Sequence, residues 1–169
     1  METYIGGMVY DTLVNGVGSR LAIFFSGCNH GCKGCQNKHL WDKNVGEKMS
    51  TEKIKEIIHA EEELIQGVTF TGGDPFDQDY NLLLDLAKYI KEQGLTLWVY
   101  TGYDYDDLLI EYKGNKTFKE LLEHIDIVVD GKFEESLYNP NLYYRGSSNQ
   151  RLINLPKTLQ ENTIILWEE

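Results

Sequence analysis

The chain has 169 residues, 41% of them hydrophobic, which is enough to bury one sizeable core and too little for two full domains. Acidic residues outnumber basic ones 27 to 16, for a net charge of -11, and the basic residues are scattered; this disfavours nucleic acid as a partner, since that affinity rests on neutralising phosphates with Lys and Arg. No apolar run approaches the roughly 18 residues of a membrane span, and Met1-Glu2-Thr3-Tyr4 lacks the basic and apolar regions of a signal peptide, so a cytoplasmic protein with reduced thiols and no membrane partner is expected.

After a short N-terminal segment with a turn-like Asn15-Gly16, the first strand is expected at about Leu21 to Phe25, followed by a long loop that holds all three cysteines. Ser50 reads as a helix N-cap with Glu52 in the first turn, and Ile54, Ile57, Ile58, Leu64 and Ile65 fall on one helical face. A short strand near Val68 to Thr71 leads into Gly72-Gly73-Asp74-Pro75, and a second helix carries Leu82, Leu83, Leu86, Ala87 and Ile90 before ending near Gly94. Leu95 to Tyr100 is almost continuously apolar, as for a strand covered on both faces. Asp104 to Leu109 opens a short helix, another runs near Phe118 to Ile125, and a fourth strand at about Ile125 to Val129 runs into Asp130-Gly131-Lys132. Residues Asn139 to Asn149 read as a loop, followed by strand candidates at Arg151 to Leu155 and Thr163 to Trp167. This alternation implies right-handed parallel crossovers, hence an α/β sheet or an incomplete barrel formed by residues 1–169 as one domain.

Each polar motif falls just after an expected strand: the cysteines after the first, Gly72-Gly73-Asp74 after the second, Thr101 after the third, Asp130 after the fourth. In parallel α/β architectures the strand carboxyl ends share one face, and that face carries the active site. The four features are therefore expected to meet in one pocket.

Cys28, Cys32 and Cys35 lie within eight positions, and three clustered cysteines make a poor disulfide framework but a good soft-metal site. By spacing alone, zinc completed by His30, His39 or a distant residue and an iron-sulfur cluster stand about equal. Taken singly, Gly72-Gly73 is also a plain strand-to-helix turn, and Asp130 with Lys132 a solvated loop pair.

The order Cys28-x-x-x-Cys32-x-x-Cys35 resembles the cluster motif of the radical S-adenosylmethionine superfamily. Four further stretches widen the likeness: Thr69-Phe70-Thr71-Gly72-Gly73-Asp74-Pro75, Trp98-Val99-Tyr100-Thr101-Gly102-Tyr103, Asp130-Gly131-Lys132-Phe133-Glu134 and Tyr144-Arg145-Gly146-Ser147-Ser148-Asn149-Gln150-Arg151. Together they resemble the glycyl-radical-enzyme activases that serve the anaerobic ribonucleoside-triphosphate reductase. Gly34 before the third cysteine and Asp74 in place of Glu both match that subfamily. The resemblance implies an incomplete TIM-type barrel whose Cys28, Cys32 and Cys35 hold a [4Fe-4S] cluster, with the fourth iron open to S-adenosyl-L-methionine. It carries cofactor contacts onto Gly34, Gln36, Gly72, Gly73, Asp74, Thr101, Asp130 and Lys132, and assigns no side chain as a catalytic acid or base. It further implies reductive cleavage to a 5′-deoxyadenosyl radical, a glycyl radical formed on the large subunit of the reductase, and a low-potential electron donor such as flavodoxin. The alternatives are a radical enzyme acting on a small molecule, of the deazapurine synthase type, and a non-catalytic zinc-binding interaction module.

Overall fold

The computed structural model describes residues 1–168. Its strands are β1 (Glu2–Thr12), β2 (Arg20–Phe25), β3 (Glu47–Ser50), β4 (Gly67–Gly72), β5 (Thr96–Tyr100), β6 (Ile127–Asp130) and β7 (Arg151–Asn154). Its helices are α1 (Thr51–Glu61), α2 (Tyr80–Glu92), α3 (Tyr105–Gly114), α4 (Lys116–Glu123) and α5 (Leu155–Glu161). All seven strands form one sheet in the order β3-β1-β2-β4-β5-β6-β7. Four of them, β2, β4, β5 and β6, are parallel to one another, as the alternation of elements required. β1 and β7 run antiparallel to the strands they flank, and β3 is antiparallel to β1.

Side-chain alternation divides the sheet into two faces. Leu21, Ile23, Phe25, Val68, Phe70, Leu97, Val99, Val128 and Ile153 join the buried faces of the helices in the main core. Ser50 caps α1 by accepting from the Lys53 amide, and the helix buries Ile54 and Ile58. Leu64 lies beyond the last turn of α1 and is exposed, not on the helical face that its spacing suggested. On α2, Leu82, Leu83, Leu86, Ala87 and Ile90 are all buried, each large side chain contributing about 1.5–3 kcal/mol by leaving water. The opposite face carries a second cluster of Trp98, Ile127, Val129 and Leu152, against which Tyr100, Tyr144 and Trp167 pack.

Arg20 closes the sheet at the end away from the cysteines. It is buried, and each of its five N–H groups has an acceptor: Thr69 Oγ1, Val17 O, Thr96 Oγ1, Val68 O and Thr96 O. Burial pushes its pKa down to about 10, so the guanidinium remains charged at neutral pH and ties three parallel-sheet segments together.

Four elements depart from the sequence reading. Residues 2–12 form the long strand β1 where only a short segment was expected, and β3 precedes α1; Gly6-Gly7 and two register shifts against β2 conceal the strand's period. The candidate strand at Thr163 to Trp167 is replaced by a single bridge between Ile153 and Leu166. Ahead of it lies α5, started by the Asn154 side chain accepting from the Lys157 amide, with Pro156 in the first turn. Among the described residues no helix is long and apolar enough to cross a membrane.

Candidate functional site

Because β2, β4, β5 and β6 point the same way, the segments that follow them meet at one edge of the sheet. The cysteine loop leaves β2 and is pinned at its base, where the Gly27 amide donates to Leu40 O at 2.7 Å and the Cys28 amide to Trp41 O at 3.2 Å. Within it a turn brings the Cys35 amide to Cys32 O at 3.3 Å. All three cysteines are half-buried and free. Burial pushes the Cys28 thiol up to about 11, with the backbone of His30 opposing and the charges of Asp74, Asp77 and Cys32 adding to the rise. Burial likewise raises Cys32, with Cys35 as its next cause. Cys28 and Cys32, which resist ionising alone, are suited to a cationic metal centre that would take them as thiolates.

The end of β4 lies against the base of this loop. The Gly73 amide donates to Phe25 O and the Asp74 amide to Gly27 O, both at 2.8 Å. A Cβ on Gly73 would stand 2.2 Å from Gly27 O, and one on Gly72, at φ +105, would stand 2.5 Å from Phe25 O. The glycine pair is therefore needed for the approach of two backbones, whatever else it serves.

Asp74 is wholly buried, and its carboxylate is already engaged. It accepts from Thr101 Oγ1 at 2.9 and 3.0 Å, from the Gly102 amide at 2.9 Å and from the Phe76 amide at 3.0 Å. His30 Nε2 lies 2.5 Å from its second oxygen and, facing a carboxylate, is the donor. That hydrogen bond raises the His30 pKa. Asp74 and Thr101 are thus brought together, as their places after β4 and β5 suggested, but in contact with each other. On the far side of the loop, Asn37 Nδ2 donates to Gly72 O at 3.1 Å.

Asp130, at the end of β6, is buried and is paired with Arg151, not with Lys132. Arg151 Nε and Nη2 reach its two oxygens at 3.1 and 2.6 Å, and the Tyr105 amide at the start of α3 donates at 2.9 Å. Lys132 is exposed and forms no ion pair among the described residues. It borders a cavity of about 530 Å³ together with His30, Gly102, Tyr103, Asp104 and Glu134. Gly34, at φ +77, and Gln36 are exposed on the cysteine loop, outside that cavity's lining.

The zinc alternative has one geometric counterpart: Cys28, His30 and Asp77 present ligand atoms within 4.8 Å of one another. His30 Nε2 is held by Asp74, however, and Asp77 accepts from Tyr103 OH at 2.5 Å and the Asn29 amide at 3.1 Å. His39 is exposed on the short 3₁₀ turn Lys38–Leu40. Sequence reasoning gave His30 no partner and assigned no role to Asn37 or Arg151; His30 and Arg151 lie inside motif stretches and Asn37 lies two residues after Cys35, but their partners are 44, 21 and 35 residues away respectively.

The sequence model of a family described as "4Fe-4S single cluster domain" matches residues 14–153. An anaerobic ribonucleoside-triphosphate reductase-activating protein of Pasteurella multocida (strain Pm70) is 39% identical over 145 residues, covering 82% of this chain and 89% of its own length. Proteins of the same name from Enterobacteria phage T4 and Escherichia coli (strain K12) are 36% and 38% identical, over 82% of this chain and 86% and 90% of theirs. Among solved structures, QueE from Escherichia coli superposes with a TM-score of 0.51 at 24% identity, covering 60% of this chain and 53% of its own, a likeness of fold.

Proposed function

The chain belongs to the 4Fe-4S single cluster domain family and, within it, to the anaerobic ribonucleoside-triphosphate reductase-activating proteins, and from that membership we propose that it is a radical S-adenosylmethionine activase acting on the large subunit of such a reductase. The observation that carries the reading is the meeting of three free, half-buried cysteines with the ends of β4, β5 and β6 at one sheet edge. Cys28, Cys32 and Cys35 would supply three thiolates to a [4Fe-4S] cluster, which would leave one iron open to S-adenosyl-L-methionine. When bound, cluster and cofactor would supply one-electron reductive cleavage chemistry, which yields methionine and a 5′-deoxyadenosyl radical able to take a hydrogen atom from a glycine of the reductase.

The chain's own residues bind and orient. Gly34 and Gln36 flank Cys35 and offer an exposed loop edge to the adenosine half, with the Glu135 side chain beside Gly34. Gly72 and Gly73 offer backbone groups to the methionine half, at a turn that Asp74 and Thr101 hold in place through their mutual hydrogen bonds. Asp130 holds the start of α3 and Arg151, and Lys132 beside it extends an unpaired ammonium toward the cofactor carboxylate. The abstracting atom belongs to the cofactor, so no side chain acts as a general acid or base.

We read the sheet as the wall of an incomplete TIM-type barrel, with residues 1–169 forming one radical S-adenosylmethionine domain. The gap left by incomplete closure admits a protein loop. A low-potential donor such as flavodoxin supplies the electron, and the reaction takes place in the cytoplasm, where thiols remain reduced. Iron, sulfide and zinc content after anaerobic purification tests the reading. About four irons and four sulfides per chain are expected; stoichiometric zinc without iron would overturn it.

A further inference from the structure

We propose that His30 is a positioning residue, the latch that sets the cysteine loop against the ends of β4 and β5. It lies between Cys28 and Cys32, and Asn29 and Gly31 on either side are exposed. Its own side chain is buried, 7% accessible, and its partner Asp74 is 0% accessible. Asp74 in turn binds the Thr101 hydroxyl and the Gly102 amide, so one imidazole joins the loop after β2, the turn after β4 and the end of β5. The ring also packs edge-on against Tyr103, with centroids 4.6 Å apart. Gly102 is what admits the ring there, because a Cβ at that position would stand 2.6 Å from His30 Cδ2.

Three thiolates must hold one geometry to grip a cluster, and an exposed loop keeps that geometry only where something fixes it. Asn37 fixes the loop beyond Cys35 through Gly72 O, and His30 fixes it between the first two cysteines. The hydrogen bond is partly buried and made to a carboxylate, the stronger kind. The inference rests on the reading of the three cysteines as cluster ligands, and it assigns to Asp74 the anchoring of the loop.

The test uses the full chain with its cluster reconstituted without oxygen, as wild type, H30A, H30Q and H39A, the last altering an exposed histidine of the same loop. Gln keeps a terminal N–H near the position of Nε2; Ala does not. The readouts are the rate of iron transfer to a chelator and the electron paramagnetic resonance spectrum of the reduced cluster with and without S-adenosylmethionine. H30A is expected to release iron about tenfold faster or more, with an altered spectrum, while H30Q and H39A stay near wild type. Wild-type behaviour of H30A, or H30Q as impaired as H30A, would overturn the inference. If H30A takes up no cluster, H30Q decides: near-wild-type behaviour supports the latch, and failure sinks it. Wild-type protein that takes up no iron would overturn the cluster reading and this inference with it, whereas a fully loaded wild type with an unaffected H30A overturns this inference alone.

Discussion

Arg151, the first residue of β7, grips Asp130, the last residue of β6, through two nitrogens at 3.1 and 2.6 Å. The pair joins an antiparallel edge strand to the parallel sheet at the level of the site, and Asp130 draws the start of α3 to the same point through the Tyr105 amide. Arg151→Ala would leave a buried carboxylate with one amide donor. The expected cost is about 1–3 kcal/mol in denaturant unfolding, moderated because Arg151 is partly exposed. A change under about 0.5 kcal/mol, the range of ordinary surface substitutions, would show that the pair does not brace this edge.

Gly73→Ala tests whether the glycine pair is a close-approach device. A Cβ 2.2 Å from Gly27 O and 3.0 Å from Leu40 O meets backbone on both sides, so it must push the cysteine loop off the end of β4. Unfolding free energy should fall by about 1–3 kcal/mol, and iron uptake should fall with it. Unchanged stability and uptake would mean that the loop accommodates the methyl group and that the approach is not required.

Lys132→Ala separates binding from folding. The side chain is exposed and borders the 530 Å³ cavity, so its removal should leave the melting temperature within experimental error. Affinity for S-adenosylmethionine, measured on the cluster-loaded protein, should weaken by about tenfold, the equivalent of 1.4 kcal/mol. Unchanged affinity would remove Lys132 from the cofactor contacts.

Cys32→Ala discriminates between a cluster on the three cysteines and a zinc ion on Cys28, His30 and Asp77. A cluster on Cys28, Cys32 and Cys35 loses one of its three thiolates, and iron content after reconstitution should fall to background. A zinc ion on Cys28, His30 and Asp77 does not involve Cys32 and would survive the substitution. Retention of stoichiometric metal in this variant would contradict the ligand assignment.

The parallel frame was legible in the sequence because its strands are covered on both faces and read as apolar runs with motifs at their ends, as Leu97, Val99 and Val128 illustrate. The N-terminal strand was not, because Gly6-Gly7 and half-exposed positions break its period. Helix α5 carried a readable start, Asn154 followed by Pro156, which the apolar spacing of Arg151 to Leu155 overrode. At the site, convergence of the motifs could be read from their places after successive strands. Partner choice could not: nothing local tells that Asp130 faces Arg151 and not Lys132, or that Asp74 is occupied by His30 and Thr101, since both depend on three-dimensional register.

The central claim is that this chain places a radical on its reductase partner. Its most direct test is electron paramagnetic resonance of an anaerobic mixture of the reduced, cluster-loaded protein, S-adenosylmethionine and an anaerobic ribonucleoside-triphosphate reductase. A glycyl radical signal that requires all three components is the predicted result. Absence of that signal with a fully loaded cluster and intact cofactor would contradict it.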